Sequence, residues 1–403
     1  YGPDQNLPGI DSLQIMEIRI NGLEKVSGSL VTGKLQMNVF DKVTPGDIET
    51  AIDRLYSSLY FDKITYELED LSIGTRLIVN VVERKGGQFR VGMHYDSNYK
   101  AAIILNTTFR NLLLDGSKLS LSLALGENPF FKASFFKNNG WKPGYGINFE
   151  SNEFDVFVYD EGRKISSLSY SESKTQIFTQ SIFWNSYTIG GGVEFEANRI
   201  KPKIDPALGA ETSTSSYLNY YGFLRLDTYD NISFPKKGMR LNSQLKIITN
   251  KDILPMAFLA TRFSQAINLS DRLTYINNLY GGAVDGDSIP YQYNFFLGGQ
   301  NPIMRNGVVP FVGLDFLEKE GRNVLAIQGN LQYELLNNFY ITLKGSAGNL
   351  KNNFNQLLNT DNIYSGYGLS LGYDSFIGPI EVSVMKSSNR AGILGFVNVG
   401  FWF

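Results

Sequence analysis

Residues 393–403 read Ile393, Leu394, Gly395, Phe396, Val397, Asn398, Val399, Gly400, Phe401, Trp402 and Phe403. Ile393, Val397, Val399, Phe401 and Phe403 share one parity, and Leu394, Phe396, Asn398, Gly400 and Trp402 hold the other. Successive side chains of a strand point to opposite faces, so this pattern is a strand with one apolar face. Three consecutive aromatics would expose apolar surface in a soluble domain. In an outer-membrane barrel they are expected, because lipid-facing and lumen-facing side chains alternate and aromatics mark the interface. A barrel's last strand also pairs with its first, so we expect the chain to stop where the barrel closes. Taken alone, the stretch also fits a buried edge strand of a soluble sheet.

Composition narrows the choice. A chain of 403 residues suits one large barrel plus a module. Only 19% of residues are charged, while 13% are aromatic and 40 are glycine, a mix that favours strands and turns over helices. No run of about 18 apolar residues occurs, which excludes a transmembrane helix. The mean hydropathy of −0.15 does not oppose a membrane barrel, whose apolar half is diluted by an equally large polar half. A net charge of −2 rules out a broadly electrostatic nucleic-acid binder. The absence of cysteine removes disulfides, thiol catalysis and cysteine metal sites. The chain starts on Tyr1 with no signal peptide in view, so we expect a processed or truncated product of an exported protein.

Residues 1–12 carry Gly2, Pro3, Pro8 and Gly9 and read as a linker. Residues 13–86 form a separate unit. Leu13 to Ile20 alternates as a strand, and Ser27 to Leu35 suits a short helix. Thr44-Pro45-Gly46-Asp47 is a helix start: Thr44 caps, Pro45 fits the first turn and Asp47 favours the positive end. Behind it Ile48, Ala51, Ile52, Leu55, Tyr56 and Leu59 fall on one helical face. Strands over Phe61–Glu69 and Thr75–Glu83 follow, joined by a turn at 72–74, giving the order β-α-α-β-β.

From Gln88 the period becomes two, and the barrel spans 87–403. Phe89, Val91, Met93 and Tyr95 alternate with Arg90, Gly92, His94 and Asp96; Leu119, Leu121, Leu123 and Leu125 alternate with Lys118, Ser120, Ser122 and Ala124. The same alternation recurs through about sixteen strands, starting near 88, 100, 117, 129, 143, 172, 187, 214, 237, 255, 271, 324, 338, 363, 378 and 393. Short connections are expected at 98–99, 127–128 and 375–379, and long ones at 152–171, 200–213, 283–323 and 350–362. The expected fold class is therefore a transmembrane 16-stranded antiparallel outer-membrane β-barrel behind one small α+β domain.

Ile18-x-Ile20-x-Gly22, the helix ending Leu55-Tyr56, Tyr60-Phe61 and the strand Leu77-x-Val79-x-Val81-x-Glu83 together resemble a POTRA domain. Such modules stand before the barrel in the outer-membrane assembly and secretion superfamily that includes BamA, TamA and the two-partner secretion transporters. The connection Gly282 to Arg322 resembles that superfamily's lumen loop: Phe295-Phe296-Leu297-Gly298-Gly299 precedes Met304-Arg305-Asn306-Gly307. The resemblance implies Arg305 as the arginine that anchors the loop inside the lumen. A buried guanidinium needs carboxylate partners, and Glu334 on the polar parity of strand twelve is the first expected one. Two departures stand out. Asn306 separates Arg305 from Gly307, and Ser346, two residues before Gly348, stands where the family often has Asp. Phe234-Pro235-Lys236-Lys237-Gly238 and Ser375–Ile380 resemble turns of the same superfamily. Strand one, with Phe89, Val91 and Met93, is expected to close the barrel against Val399, Phe401 and Phe403, the family's C-terminal signal. The single module and the run Asn98–Asn128 are most similar to barrels fused behind a patatin-like lipase, the type Vd autotransporters. That resemblance would place an enzyme upstream of Tyr1.

No catalytic constellation is visible. His94 is the lone histidine and sits on the polar parity of strand one, so a structural lumen-facing role is expected. Neither a Gly-x-Ser-x-Gly elbow nor a P-loop occurs, and Gly190-Gly191-Gly192 lacks the strand–loop–helix setting of a phosphate cradle. We therefore expect no enzyme in this chain, no cofactor and no metal. The expected function is polypeptide translocation or β-barrel assembly in the bacterial outer membrane, with the POTRA domain in the periplasm. The partners would be membrane lipids, an unfolded polypeptide client and accessory envelope proteins, without nucleic acid. Two other classes remain: a passive pore or small-ligand transporter, and a structural barrel in a surface complex.

Overall fold

The computed structural model describes residues 12–84, 86–140, 142–160, 163–204, 212–300, 307–359, 363–388, 390 and 392–401. The N-terminal module runs β1 (Leu13–Asn21), α1 (Gly28–Leu35), β2 (Lys42–Val43), α2 (Pro45–Tyr56), β3 (Phe61–Leu71) and β4 (Gly74–Glu83). Its sheet has the order β2-β1-β4-β3, with β1 parallel to β4 and the other pairs antiparallel. The expected order lacked only β2, a two-residue pairing too short to show a period.

Local chemistry explains the helices. Ser27 caps α1 by accepting the Leu30 amide. Thr44 and Asp47 form a reciprocal capping box at α2: the Asp47 N–H donates to Thr44 Oγ1 and the Thr44 N–H to Asp47 Oδ2 at 2.8 Å. Ile48, Ala51, Ile52 and Leu55 bury one face of α2 against Ile15, Leu30, Leu35, Phe61, Leu77 and Val79. Tyr56 and Leu59, expected on that face, are exposed beyond a third. Tyr56 instead clips β3, its hydroxyl accepting the Ile64 N–H and donating to the Ile64 carbonyl. Glu83 falls on the buried parity of β4 because its carboxylate accepts the backbone N–H groups of Glu24, Lys25 and Val26 at 2.7–2.9 Å.

The barrel is closed and has sixteen strands. In order they are β5 (Gly87–Asp96), β6 (Lys100–Arg110), β7 (Ser117–Gly126), β8 (Phe130–Asn139), β9 (Lys142–Asp160), β10 (Arg163–Phe183), β11 (Tyr187–Ile204) and β12 (Ser213–Asp227), then β13 (Gly238–Asn250), β14 (Ile253–Ser270) and β15 (Leu273–Asp285). Three short strands follow inside one connection: β16 (Phe295–Leu297), β17 (Val308–Val309) and β18 (Lys319–Gly321). The wall resumes with β19 (Asn323–Leu336), β20 (Phe339–Lys351), β21 (Tyr364–Ser375), β22 (Gly378–Ser387) and β23 (Leu394–Gly400). Parity divides each strand as the sequence indicates: on β23, Phe396 is buried inward beside Met385 and Val312, while the alternate positions face out.

The expected long connection at 152–171 is strand: β9 and β10 pair from Gly144–Gln180 to Asp160–Arg163, with one register shift between Lys164 and Ser166. About ten residues of tilted strand cross a bilayer, whereas β9, β10 and β11 have 19, 21 and 18. Their distal halves stand in water on one side, so polar Ser, Glu and Lys interrupt the alternation and hid the strand. The turns at 98–99 and 127–128, grouped with the short side from sequence, lie at the same end as the long loops. The opposite end carries the module.

Contacts with that end are specific. The Tyr60 hydroxyl donates to the Gly116 carbonyl at 3.0 Å, and burial raises its pKa to about 12. Asn185 on the β10–β11 turn donates to the Arg54 carbonyl and Ser57 Oγ, and accepts from Lys34 Nζ. Burial lowers the Lys34 pKa below the ordinary lysine value.

The capping box makes a pH prediction. Hydrogen bonds from the Thr44 backbone and side chain hold the Asp47 carboxyl below its ordinary 3.8. A depressed folded-state value gives stability that is complete above the unfolded pKa and lost as pH falls through the folded one. In hydrogen exchange on the full chain, Asp47→Asn should lower protection of the first turn of α2 at neutral pH. That difference should vanish below the carboxylate range. Thr44→Ala should cost about 1 kcal/mol at neutral pH and less below the carboxylate range, where the hydroxyl no longer donates to a carboxylate.

Candidate functional site: the lumen loop and the barrel seam

The connection from β15 to β19 enters the lumen and packs there as a small sheet of order β17-β16-β18, parallel between β16 and β17 and antiparallel between β16 and β18. Its apolar residues form a core with the wall: Phe295, Leu297, Phe311 and Leu314 are fully buried against Ile248, Phe258, Tyr280 and Val324. Phe295 stacks on Phe258 with centroids 5.0 Å apart and ring planes within 5°. Two glycines let the loop backbone pack this closely. Gly298 has φ +132°, and a Cβ there would meet the Asp315 carbonyl at 1.9 Å. On the wall, a Cβ at Gly366 would lie 1.8 Å from the Val312 carbonyl.

Polar contacts fix the loop's ends. The Val312 N–H donates to Ser346 Oγ at 3.3 Å, so the serine in the family's acidic position serves the loop backbone directly. Gly298 and Gly299 donate their N–H groups to Val309 and Leu314 carbonyls, and the Phe311 N–H returns to the Gly299 carbonyl. Above the bilayer, Phe296, Phe316 and Leu317 pack with Phe154, Val156 and Tyr170 of the long hairpin, and the Tyr159 hydroxyl donates to the Phe316 carbonyl. Arg390 bridges to Glu318 and Asp315 at 3.4 and 3.8 Å.

Of the residues expected to anchor the loop, Gly298, Gly299 and Gly307 lie in it, Gly307 with its carbonyl accepting the Phe296 N–H. Arg305 lies outside the described residues. Glu334, expected as the partner of Arg305, sits beside the β19–β20 turn and is engaged by Lys236 Nζ at 2.6 Å and the Asn338 N–H. The Phe-Pro-Lys-Lys-Gly turn thus supplies its cation from across the barrel's module end.

Sequence reasoning missed the lumen's main charge cluster. Glu194 and Lys246 pair at 2.6 Å with both side chains almost fully buried. Gln176 and Asn219 also donate to Glu194, Asn219 reaches Glu196, and Lys174 pairs with Glu172 at 2.7 Å. Tyr170 donates to Asn198, and Gln292 of the loop reaches Tyr217. Each residue lies on the polar parity of its strand. That parity was legible, but its partners come from β10 to β13 and only closure brings them together.

The second feature is the seam. Among the described residues, β5 and β23 pair over three positions, Asp96–Asn398, Tyr95–Val399 and His94–Gly400, against ten pairs between β5 and β6 and six between β22 and β23. Ser97 extends the closure at the outer end, its N–H donating to the Val397 carbonyl and its Oγ accepting the Val397 N–H. His94 lies buried here, Nε2 2.9 Å from Asp96 Oδ2, while Asp96 Oδ1 accepts the Asn98 and Tyr99 N–H groups. It is the lumen-facing histidine the parity indicated. Phe89, Val91 and Met93 project outward at 60–74% exposure, on the part of β5 beyond the ladder. Val399 lies within the ladder, Phe401 just past β23, and Phe403 outside the described residues.

Comparison with known proteins agrees with this architecture. A family model described as the OMP85 superfamily matches residues 75–403. Among solved structures, BamA from Haemophilus ducreyi lacking POTRA domains 1–3 superposes with a TM-score of 0.68 at 13% identity, covering 96% of this chain and 85% of that one. CdiB from Acinetobacter baumannii gives 0.64 at 13% identity over 96% and 73%. CdiB from Escherichia coli gives 0.51 at 10% identity over 99% and 93%. No curated protein sequence matches.

Two outcomes follow. Gly366→Val forces the loop off the wall, so planar-bilayer conductance should rise from a low, flickering level to a sustained open one. Lys246→Ala leaves Glu194 buried without its ammonium and should destabilise the barrel by about 3–5 kcal/mol in urea unfolding from lipid vesicles. Adding Glu194→Gln should restore most of that loss.

Proposed function

The chain belongs to the OMP85 superfamily, and from that membership we propose that it moves or inserts polypeptide across the bacterial outer membrane, with its POTRA-like module in the periplasm. The ladder between β5 and β23, three pairs among the described residues, carries the reading. Unpaired backbone is expensive in hydrocarbon, so a wall opens where fewest hydrogen bonds must break, and an extended client strand repairs the exposed edge by pairing with it. The outer strands of the module's sheet, β2 and β3, would receive the client before it reaches that seam. Accessory envelope proteins would dock at the module's other surfaces. A passive pore is less well supported, because the lumen is occupied by the packed loop and by the Glu194–Lys246 cluster. A permanently zipped scaffold would have no use for a ladder shorter, among the described residues, than those on either side of it.

The test uses the absence of native cysteine. Tyr95 and Val399 are paired across the seam, so Tyr95→Cys with Val399→Cys permits a disulfide there. Oxidised protein in proteoliposomes should lose insertion or export of an unfolded outer-membrane client, and reductant should restore it. Full activity of the oxidised double variant would overturn the proposal.

A further inference from the structure

The wall carries a groove on its lipid-facing side that the polypeptide-handling reading does not use. It lies across β14, β15 and β19 at the end remote from the module and has a volume of about 450 Å³, with a mainly apolar lining. That size falls in the range of small-ligand sites. Leu259, Thr261, Gly281 and Leu325 form its floor. Strand pairing sets Thr261 and Leu325 on either side of Gly281, and alternate positions Tyr280 and Gly282 point into the lumen core, so the floor faces outward. No atom lies within 4 Å of a Cβ built at Gly281: the hollow exists because this position has no side chain.

Its roof is the segment 352–359, which turns down over the outside of the barrel instead of standing in water. Asn349 ties it there. The residue faces outward on β20 yet is 4% exposed, because its amide donates to the carbonyls of Leu357 and Asn359 at 3.0 and 2.8 Å. Leu357 is buried beneath the roof, whereas Phe354 and Leu358 are 63% and 79% exposed, lining the groove's mouth. Two bare hydrocarbon side chains on an extracellular-side loop are costly in water and favourable in a membrane.

We infer that this groove seats an acyl chain of an outer-leaflet lipid. The occupant follows from what the opening faces: the surrounding outward positions Leu259, Leu279, Leu325 and Ile327 are exposed apolar side chains of a membrane wall. An apolar hollow excludes water and, left empty, forfeits the dispersion contacts of its lining. A chain inserted between Gly281 and the 352–359 roof recovers them, and Thr261 is the one hydroxyl on the floor. The inference rests on the barrel being embedded in lipid and is independent of the seam.

The full chain in nanodiscs containing phosphatidylethanolamine with a diazirine in its acyl chain provides the test. After irradiation, peptide mapping should find label at 352–359 and on β15 and β19 about fivefold above the lipid-facing wall of β7 and β8, equivalent to about 1 kcal/mol of preference. Gly281→Phe fills the hollow and should bring labelling to the level of the rest of the wall, while Gly345→Phe, at another outward-facing glycine with open space, should leave it unchanged. Phe354→Ser with Leu358→Ser, which leaves the wall intact, should lower it too if Gly281→Phe fails to fold by heat-modifiable mobility. Even labelling around the barrel, or unchanged labelling in the filled variant, overturns the inference. Crosslinks from 352–359 to a client peptide or to a second copy in place of lipid would also overturn it. Absence of label from the whole barrel would instead remove the membrane embedding on which it rests.

Discussion

A strand in hydrocarbon has nowhere to place its backbone N–H and C=O groups except on another strand. Everything else here depends on that constraint. It requires a closed wall, and it makes the ladder between β5 and β23 the place where closure is least secure. The remaining fifteen neighbour pairs run over six residues or more, so any opening that preserves the most hydrogen bonds concentrates at one line. Gly400 sharpens the point. With φ +94° and a Cβ position only 2.0 Å from the Met93 carbonyl, it lets β23 come close to β5 at the last ladder pair of the described residues.

A closed wall of sixteen strands encloses more space than its own side chains fill, and the chain solves this from within. The β15–β19 connection supplies an apolar core on one side of the lumen, and charged residues of β10 to β13 supply a polar one on the other. The two meet at Gln292 and Tyr293, which touch Tyr217. A buried ion pair such as Glu194–Lys246 adds little net stability over an apolar pair, but it penalises any arrangement that separates its members. It therefore keeps β11 and β13 in one register with β12 between them. The long hairpins of β9 to β11 then rise past the bilayer and hold the top of the loop through Phe154, Tyr159 and Tyr170.

The module connects to the same mechanics. Tyr60, Lys34 and Arg54 touch the β6–β7 and β10–β11 turns, which lie two and six strands round the wall from the seam.

Much of this was legible in the residues. Period-two alternation after Gln88 located fifteen of the sixteen wall strands to within a few residues, and Thr44-Pro45-x-Asp47 located α2, because alternation and capping are written within a few neighbours of each residue. Strand β10 was started late for a physical reason: beyond the bilayer its outer face meets water and its inner face a polar network, so both parities carry Ser, Lys and Glu. Glu334 was on the correct face, yet parity cannot say that Lys236, nearly a hundred positions away, arrives there first. The sequence by itself determined strand count, facing and the module's local caps. Tertiary structure alone decided which carboxylate meets which ammonium, where the long loop is buried, and that the shortest ladder joins the first wall strand to the last, since those depend on closing a ring whose ends are more than three hundred residues apart.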